Sequence, residues 1–134
     1  MNDKIKTLWV EALKSEKYKQ AFSKLRVKDP EDNVVKFCPL GVLCDICIDE
    51  SDLRCGWKPK YQWDNETFFA FYVNNGYSTY DEFGFLPPDV KAWAELDSVA
   101  PKLKYKEEEK SINELNDIEK LSFEEIANLI EEQL

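Results

Sequence analysis

Phe37-Cys38-Pro39-Leu40-Gly41-Val42-Leu43-Cys44-Asp45-Ile46-Cys47 is the most apolar run in the chain, and its reading decides the fold. Pro39 suits the first turn of a helix, where its missing N–H is not needed. From Leu40 to Ile48 nearly every residue is apolar, with Asp45 the exception and Asp49 and Glu50 at the exit. A helix that is apolar almost all round belongs at the centre of a fold. Gly41 costs such a helix about 1 kcal/mol relative to Ala, so its use there is close approach of another backbone. The stretch therefore reads as a strand end passing into a buried helix, on which the flanking segments pack.

Upstream, Val34–Phe37 reads as the return strand of a hairpin and Asp29-Pro30-Glu31-Asp32-Asn33 as its turn. In the outgoing strand, Leu25 and Val27 alternate with Lys24, Arg26 and Lys28, the period of a half-exposed strand. That alternation would place Lys24, Arg26 and Lys28 together on one polar face. Residues 3–15 form an amphipathic helix, with Ile5, Leu8, Trp9, Ala12 and Leu13 on one side. Asn2 or Asp3 can cap it.

Downstream, residues 51–85 crowd Trp57, Tyr61, Trp63, Phe68, Phe69, Phe71, Tyr72, Tyr77, Tyr80, Phe83 and Phe85 into one segment. Phe68–Val73 reads as a short strand and Asn74-Asn75-Gly76 as a turn. The rest of the segment is expected as short strands or ordered loops draped over the central helix. A short helix runs from Leu86 to Leu96, with Val90, Trp93 and Ala94 inward. Residues 97–110 read as a linker. Ser111 with Glu114, and Ser122 with Glu125, are capping-box pairs opening two further helices. The last helix buries Phe123, Ile126, Ala127, Ile130 and Leu134. The whole reads as an α+β fold: a short antiparallel hairpin or sheet on a central buried helix, with amphipathic N- and C-terminal helices. Residues 1–134 are taken as a single domain on length.

No run approaches the roughly 18–20 apolar residues that span a bilayer, and the N-terminus lacks a signal peptide's apolar centre. The expectation is a cytoplasmic protein with no membrane partner and with reduced thiols. The net charge of −9 is unevenly spread: residues 107–134 hold two Lys/Arg against ten Asp/Glu, whereas residues 1–36 hold nine against six. An acidic total argues against direct DNA binding, which needs clustered cations.

The chain contains no histidine, so a Cys–His dyad and His-based acid–base or metal chemistry are excluded within it. Cys38, Cys44, Cys47 and Cys55 include a Cys-x2-Cys pair, and four thiols can hold zinc tetrahedrally. Cys44 and Cys47 fall mid-helix rather than on a tight glycine turn, which favours the other reading, small buried hydrophobes. Cys38 at a helix N-terminus could be an activated thiol, and Asp45 with Asp49 a carboxylate pair; these are the enzyme readings. No phosphate-binding glycine loop occurs, and no cofactor is implied. The most suggestive cluster is Tyr18, Gln20, Lys24 and Arg26. Rings, cations and an amide donor at one strand entrance could hold a small anion or nucleotide by stacking and charge-assisted hydrogen bonds.

Four ordered blocks resemble a family of small uncharacterised proteins from tailed phages and prophages. Its opening reads W-x-x-A-L-R-S-G-x-Y-x-Q followed by L-R, matched by Trp9–Ser15, Tyr18-Lys19-Gln20 and Leu25-Arg26. C-C-L-G-V-L-C-D is matched by Cys38–Asp45, and L-P-x-x-V-x-x-W-A-G-L by Leu86–Leu96. L-N-D-x-G-x-S-F-x-E-I-A-x-x-I-E is matched by Leu115-Asn116-Asp117 and Ser122–Glu131. The chain departs in Glu16 and Glu95, where the pattern has glycine, and in Pro39, where it has a second cysteine. The resemblance implies an accessory role inside an infected bacterium and no established activity. With the ring-and-cation cluster, it leads to the expectation of a non-catalytic binding protein. Such a protein would sequester a small nucleotide-like signal or engage a host protein, in a counter-defence role. The many rings would also suit a homodimer.

Overall fold

A computed structural model describes residues 1–74, the backbone of 76 and 77, and residues 84–134. The expected central helix is present as Pro39–Glu50, here α2, preceded by α1, Asp3–Lys14. Cys38 caps α2 through its sulfur, which accepts from the Gly41 N–H, and Pro39 stands at the first position. Leu40, Val42, Leu43, Cys44 and Cys47 are all buried. Gly41 is there for contact: a Cβ on it would lie 1.8 Å from the Leu25 carbonyl oxygen. The Trp9 indole N–H of α1 donates to the Pro39 carbonyl at 2.8 Å, which ties α1 to the first turn of α2.

The strands before α2 are β1 (Lys19–Gln20), β2 (Arg26–Lys28) and β3 (Val35–Phe37); those after it are β4 (Cys55–Trp63), β5 (Glu66–Val73) and β6 (Gly76–Tyr77). They form one sheet in the order β1-β3-β2-β5-β4, with β6 also pairing β5. The expected hairpin is β2–β3, closed through Asp29–Asn33. Residues 55–73 are more regular than expected. The segment is dominated by a long β4–β5 hairpin that reverses at Asp64 and Asn65, both with left-handed φ. Two adjacent residues with φ > 0 give the twist that a tight hairpin turn requires. Asn74 is also left-handed, and Val73 pairs with Gly76 across the expected turn. Asn75, the side chain of Tyr77, and Tyr80 and Phe83 lie outside the described residues.

Beyond the sheet come α3 (Pro88–Trp93), β7 (Lys102–Tyr105), β8 (Glu108–Ser111), α4 (Ile112–Asp117) and α5 (Phe123–Gln133). Val90 and Ala94 are buried, and Trp93 is half-buried. Residues 97–110 are not simply a linker. Lys102 to Ser111 form a second, two-stranded sheet, with Leu103 buried and the turn at left-handed Lys106 and Glu107. Both capping boxes are formed, at Ser111 with Glu114 and Ser122 with Glu125. The fold is α+β, and α1, α2, α4, α5 and one face of the sheet contribute to a common apolar core.

Candidate functional site

Alternation along β5 sends Phe69, Phe71 and Val73 to one face of the sheet and Phe68 to the other. The register carries this to the neighbours: Trp57 sits opposite Phe71, while Tyr61 and Val27 sit opposite Phe68. The first face lies against α2 and is the inner one. The second is the outer one.

On the inner face, rings and polar groups are locked together. Tyr18, Phe37, Trp57 and Phe71 follow one another edge to face at 5.0, 6.1 and 4.9 Å between ring centres. Asp45, the lone charge in the apolar half of α2, accepts from the Tyr18 hydroxyl at 2.7 Å and from the Trp57 indole at 3.0 Å. Burial, followed by that hydrogen bond, pushes the Tyr18 phenol well above its ordinary range. The Arg26 guanidinium stacks on Phe69 at 4.0 Å and lies within 6 Å of Phe37 and Trp57. Burial lowers its pKa, and nearby Asp45 acts in the opposite direction. Its Nε is buried without a hydrogen-bond partner.

The four residues expected to form one site are thereby divided. Tyr18 and Arg26 meet around Phe37. Gln20 instead donates to the Asn116 side chain at 2.7 Å and the Leu121 carbonyl at 2.8 Å, binding β1 to the C-terminal helices. Lys24 lies over the rings of Phe68 and Tyr61, at 5.6 and 6.0 Å, on the outer face. The expectation that Lys24, Arg26 and Lys28 share a solvated face is therefore corrected. Strand β2 begins only at Arg26, so Lys24 stands outside the alternation; Val27 faces outward opposite Phe68, which turns Arg26 and Lys28 to the inner side. Tyr18 and Gln20 still border an open depression of about 500 Å3 beside Lys14, Lys19 and Ser122.

Three of the four thiols, Cys38, Cys44 and Cys47, are buried as well. Burial pushes Cys38 and Cys47 up to about 12, Cys44 well above its ordinary value, and half-buried Cys55 upward as well. Cys38 caps α2 as expected, but desolvation outweighs the helix dipole that would activate it. The tetrahedral arrangement of Cys38, Cys44, Cys47 and Cys55 is not formed. Among the described residues no three His, Cys, Asp or Glu side chains are grouped to hold a metal. Asp45 and Asp49 line an open cleft of about 300 Å3 with Glu11, Glu50 and Tyr18, but Asp45 is already held by Tyr18 and Trp57.

The outer face gathers rings that no local pattern singled out. Tyr61 and Phe68 stack at 4.9 Å and 27° under Lys24. Trp63, two residues along β4, is 71% exposed. Across β2, a groove of about 250 Å3 runs between Phe22 and Phe68, floored by Val27 and edged by Lys36, Asp29 and Glu66. Phe22 is 44% exposed and carries the Lys120 ammonium 4.0 Å above its ring. Lys36 is ion-paired to Asp29 at 3.1 Å and to Asp32 at 3.6 Å.

A family model described as Domain of unknown function (DUF8296) matches residues 1–134. The chain belongs to the DUF8296 family. No curated protein and no solved structure matches it. Among the described residues no helix is long and apolar enough to cross a membrane.

Proposed function

We propose that this DUF8296 protein is a non-catalytic, phage-type accessory protein that works by binding in the cytoplasm of an infected bacterium. Its ligand is small and nucleotide-like, and sequestering it would blunt a host defence signal. The phage setting rests on the four-block resemblance, and the binding role rests on chemistry. Cys38, the candidate nucleophile, is buried and its pKa is pushed up by that burial, while rings and lysines gather on the outer face.

One observation carries the choice of ligand. Lys24 is held over the stacked Tyr61–Phe68 pair, next to the groove between Phe22 and Phe68. A planar base can enter between rings, its edge N–H groups meeting Asp29 or Glu66, while a phosphate meets Lys24 or Lys36. Of the four residues named from the sequence, Lys24 is the one this reading keeps at the ligand. A thermal-shift panel of nucleotides tests it. Stabilisation by at least one nucleotide, reduced in Lys24→Gln and Phe68→Ala, is expected; no shift across the panel overturns it.

A second reading, docking of a host protein on the same face, is favoured by the exposure of Trp63 and Phe22. It predicts that Trp63→Ala abolishes capture of a bacterial partner while nucleotide shifts stay unchanged.

A further inference from the structure

We infer that the outer face takes a single-stranded nucleic acid, a few nucleotides long, rather than an isolated nucleotide. The inference rests on the nucleotide reading above and extends it. The groove beside Phe68 is open, whereas a pocket that retains a small molecule encloses most of that molecule's surface. The rings also continue past the groove. Phe22, Phe68 and Tyr61 follow one another across β2, β5 and β4, strands spaced about 4.8 Å apart, and Trp63 stands two residues farther along β4. Ammonium groups stand over the row at Phe22 and again at the Tyr61–Phe68 pair. Rings and lysines gathered on one open surface match a single strand, whose bases stack on rings while its phosphates draw the lysines off them.

Charge supports the same occupant. The acidic total is carried disproportionately by residues 107–134. Lys24 and, opposite Ala70, Lys58 stand on the outer side with Lys36 and Lys120, against Asp29 and Glu66 at the groove, while Arg26 and Lys28 fall on the inner side. The nearby edge is poorly suited to an added peptide strand. Edge strand β4 carries Pro59, a register shift between Pro59 and Tyr61, and Lys58 and Lys60. Such features block pairing with another chain. What β4 offers is its face.

The test is fluorescence anisotropy of labelled single-stranded oligodeoxyuridylate and oligouridylate of about ten nucleotides, against the full-length protein over a salt series. Mononucleotides and a duplex of the same length serve as competitors. Binding is expected, with single strand competing better than either. Affinity should fall with salt at a log–log slope of about −0.7 for each phosphate contacted. Trp63→Ala and Tyr61→Ala should each weaken binding about tenfold, and Lys24→Gln should flatten the slope by about one contact. The two oligomers separate a preference for the 2′-hydroxyl from indifference to it.

If a mononucleotide binds as tightly as the oligomers, this inference fails and the nucleotide reading stands. If neither binds, both fail. Oligomer binding unaffected by Trp63→Ala and Tyr61→Ala, or matched by the duplex, also overturns the inference. Circular dichroism of the variants shows that a lost signal is not lost fold.

Discussion

The two faces of the sheet use the same chemistry to opposite ends. Each brings aromatic rings together with a cation from the segment around β2. On the inner face Arg26 lies on Phe69, and the hydroxyl of Tyr18 and the indole N–H of Trp57 are both bound to Asp45. On the outer face Lys24 lies on Phe68 and Tyr61, and Trp63 stands in solvent. A ring-and-cation cluster therefore does not by itself mark a binding site. What separates the two is whether a helix supplies an acceptor and covers the rings. Asp45 of α2 does so on one side.

The widest gap between the faces should appear in stability. Phe71, fully buried on the inner face, should lose about 3–5 kcal/mol when replaced by Ala. Trp63→Ala on the outer face should stay within about 0.5 kcal/mol. Urea denaturation of both variants measures the difference. Comparable losses would mean that both faces are core, and the distinction would collapse.

Asp45→Asn probes the inner face more finely. The amide has one oxygen to accept with, so it cannot serve both the Tyr18 hydroxyl and the Trp57 indole while its own N–H2 is turned toward one of them. Leaving a half-buried donor unmet should cost about 1–3 kcal/mol. The nucleotide thermal shift relative to the variant's own baseline should be unchanged. If Asp45→Asn instead removes binding at full stability, the working surface is the inner cluster of Tyr18 and Arg26.

Much of the framework was legible because its signals are local. Pro39 following a cap position, the apolar run to Ile48, and serine three residues before glutamate each act within one turn of helix. The hairpins were harder. In β4, Pro59 interrupts the strand pattern, and rings on both faces hide the alternation that would have marked an inside. In β7 and β8, Leu103 is the buried anchor of a hairpin whose turn uses Lys106 and Glu107 at left-handed φ. That conformation usually calls for Asn or Gly, so the segment resembled a charged linker. The site was least legible. Arg26 and Lys24 are two residues apart, and only the ring positions on β5 reveal that they serve opposite faces. Phe22, Phe68 and Tyr61 meet through pairing of β2 and β4 with β5, which no short window contains.

A third change lies off both faces and serves as their control. Glu16 and Glu95 follow α1 and α3 by two residues and adopt left-handed φ of 64° and 56°. These are the two positions where the phage-type pattern has glycine, the residue that closes a helix this way without strain. Glu95 also accepts from Asn2, so Glu16 is the cleaner test. Glu16→Gly should raise stability by roughly 0.5–1 kcal/mol in urea and leave binding untouched. A loss of stability would show that the left-handed turn there carries no strain.

The smallest effect concerns pH and tests whether the groove's lysine is held in reserve. Asp29 is kept below the usual carboxylate range, first by the Glu31 backbone N–H and next by Lys36. Lys36 is raised in turn, chiefly by its hydrogen bond to Asp29. A carboxylate depressed by folding stabilises the fold above its unfolded pKa, and that contribution disappears as pH falls through the folded value. Comparing wild type with Asp29→Asn isolates it from the other acids. The stability gap should be present at neutral pH and close below about pH 4, where an unfolded Asp titrates. The inner thiols, raised far above this window, give no matching change. Protonating Asp29 also loosens Lys36, leaving it the longer pair with Asp32 and freer to meet an anion in the groove. Nucleotide affinity of the wild type should therefore rise, relative to Asp29→Asn, as the carboxylate is neutralised. A gap that stays constant from neutral to acid pH would mean the Asp29–Lys36 pair is idle, leaving Asp32 as the carboxylate that holds Lys36.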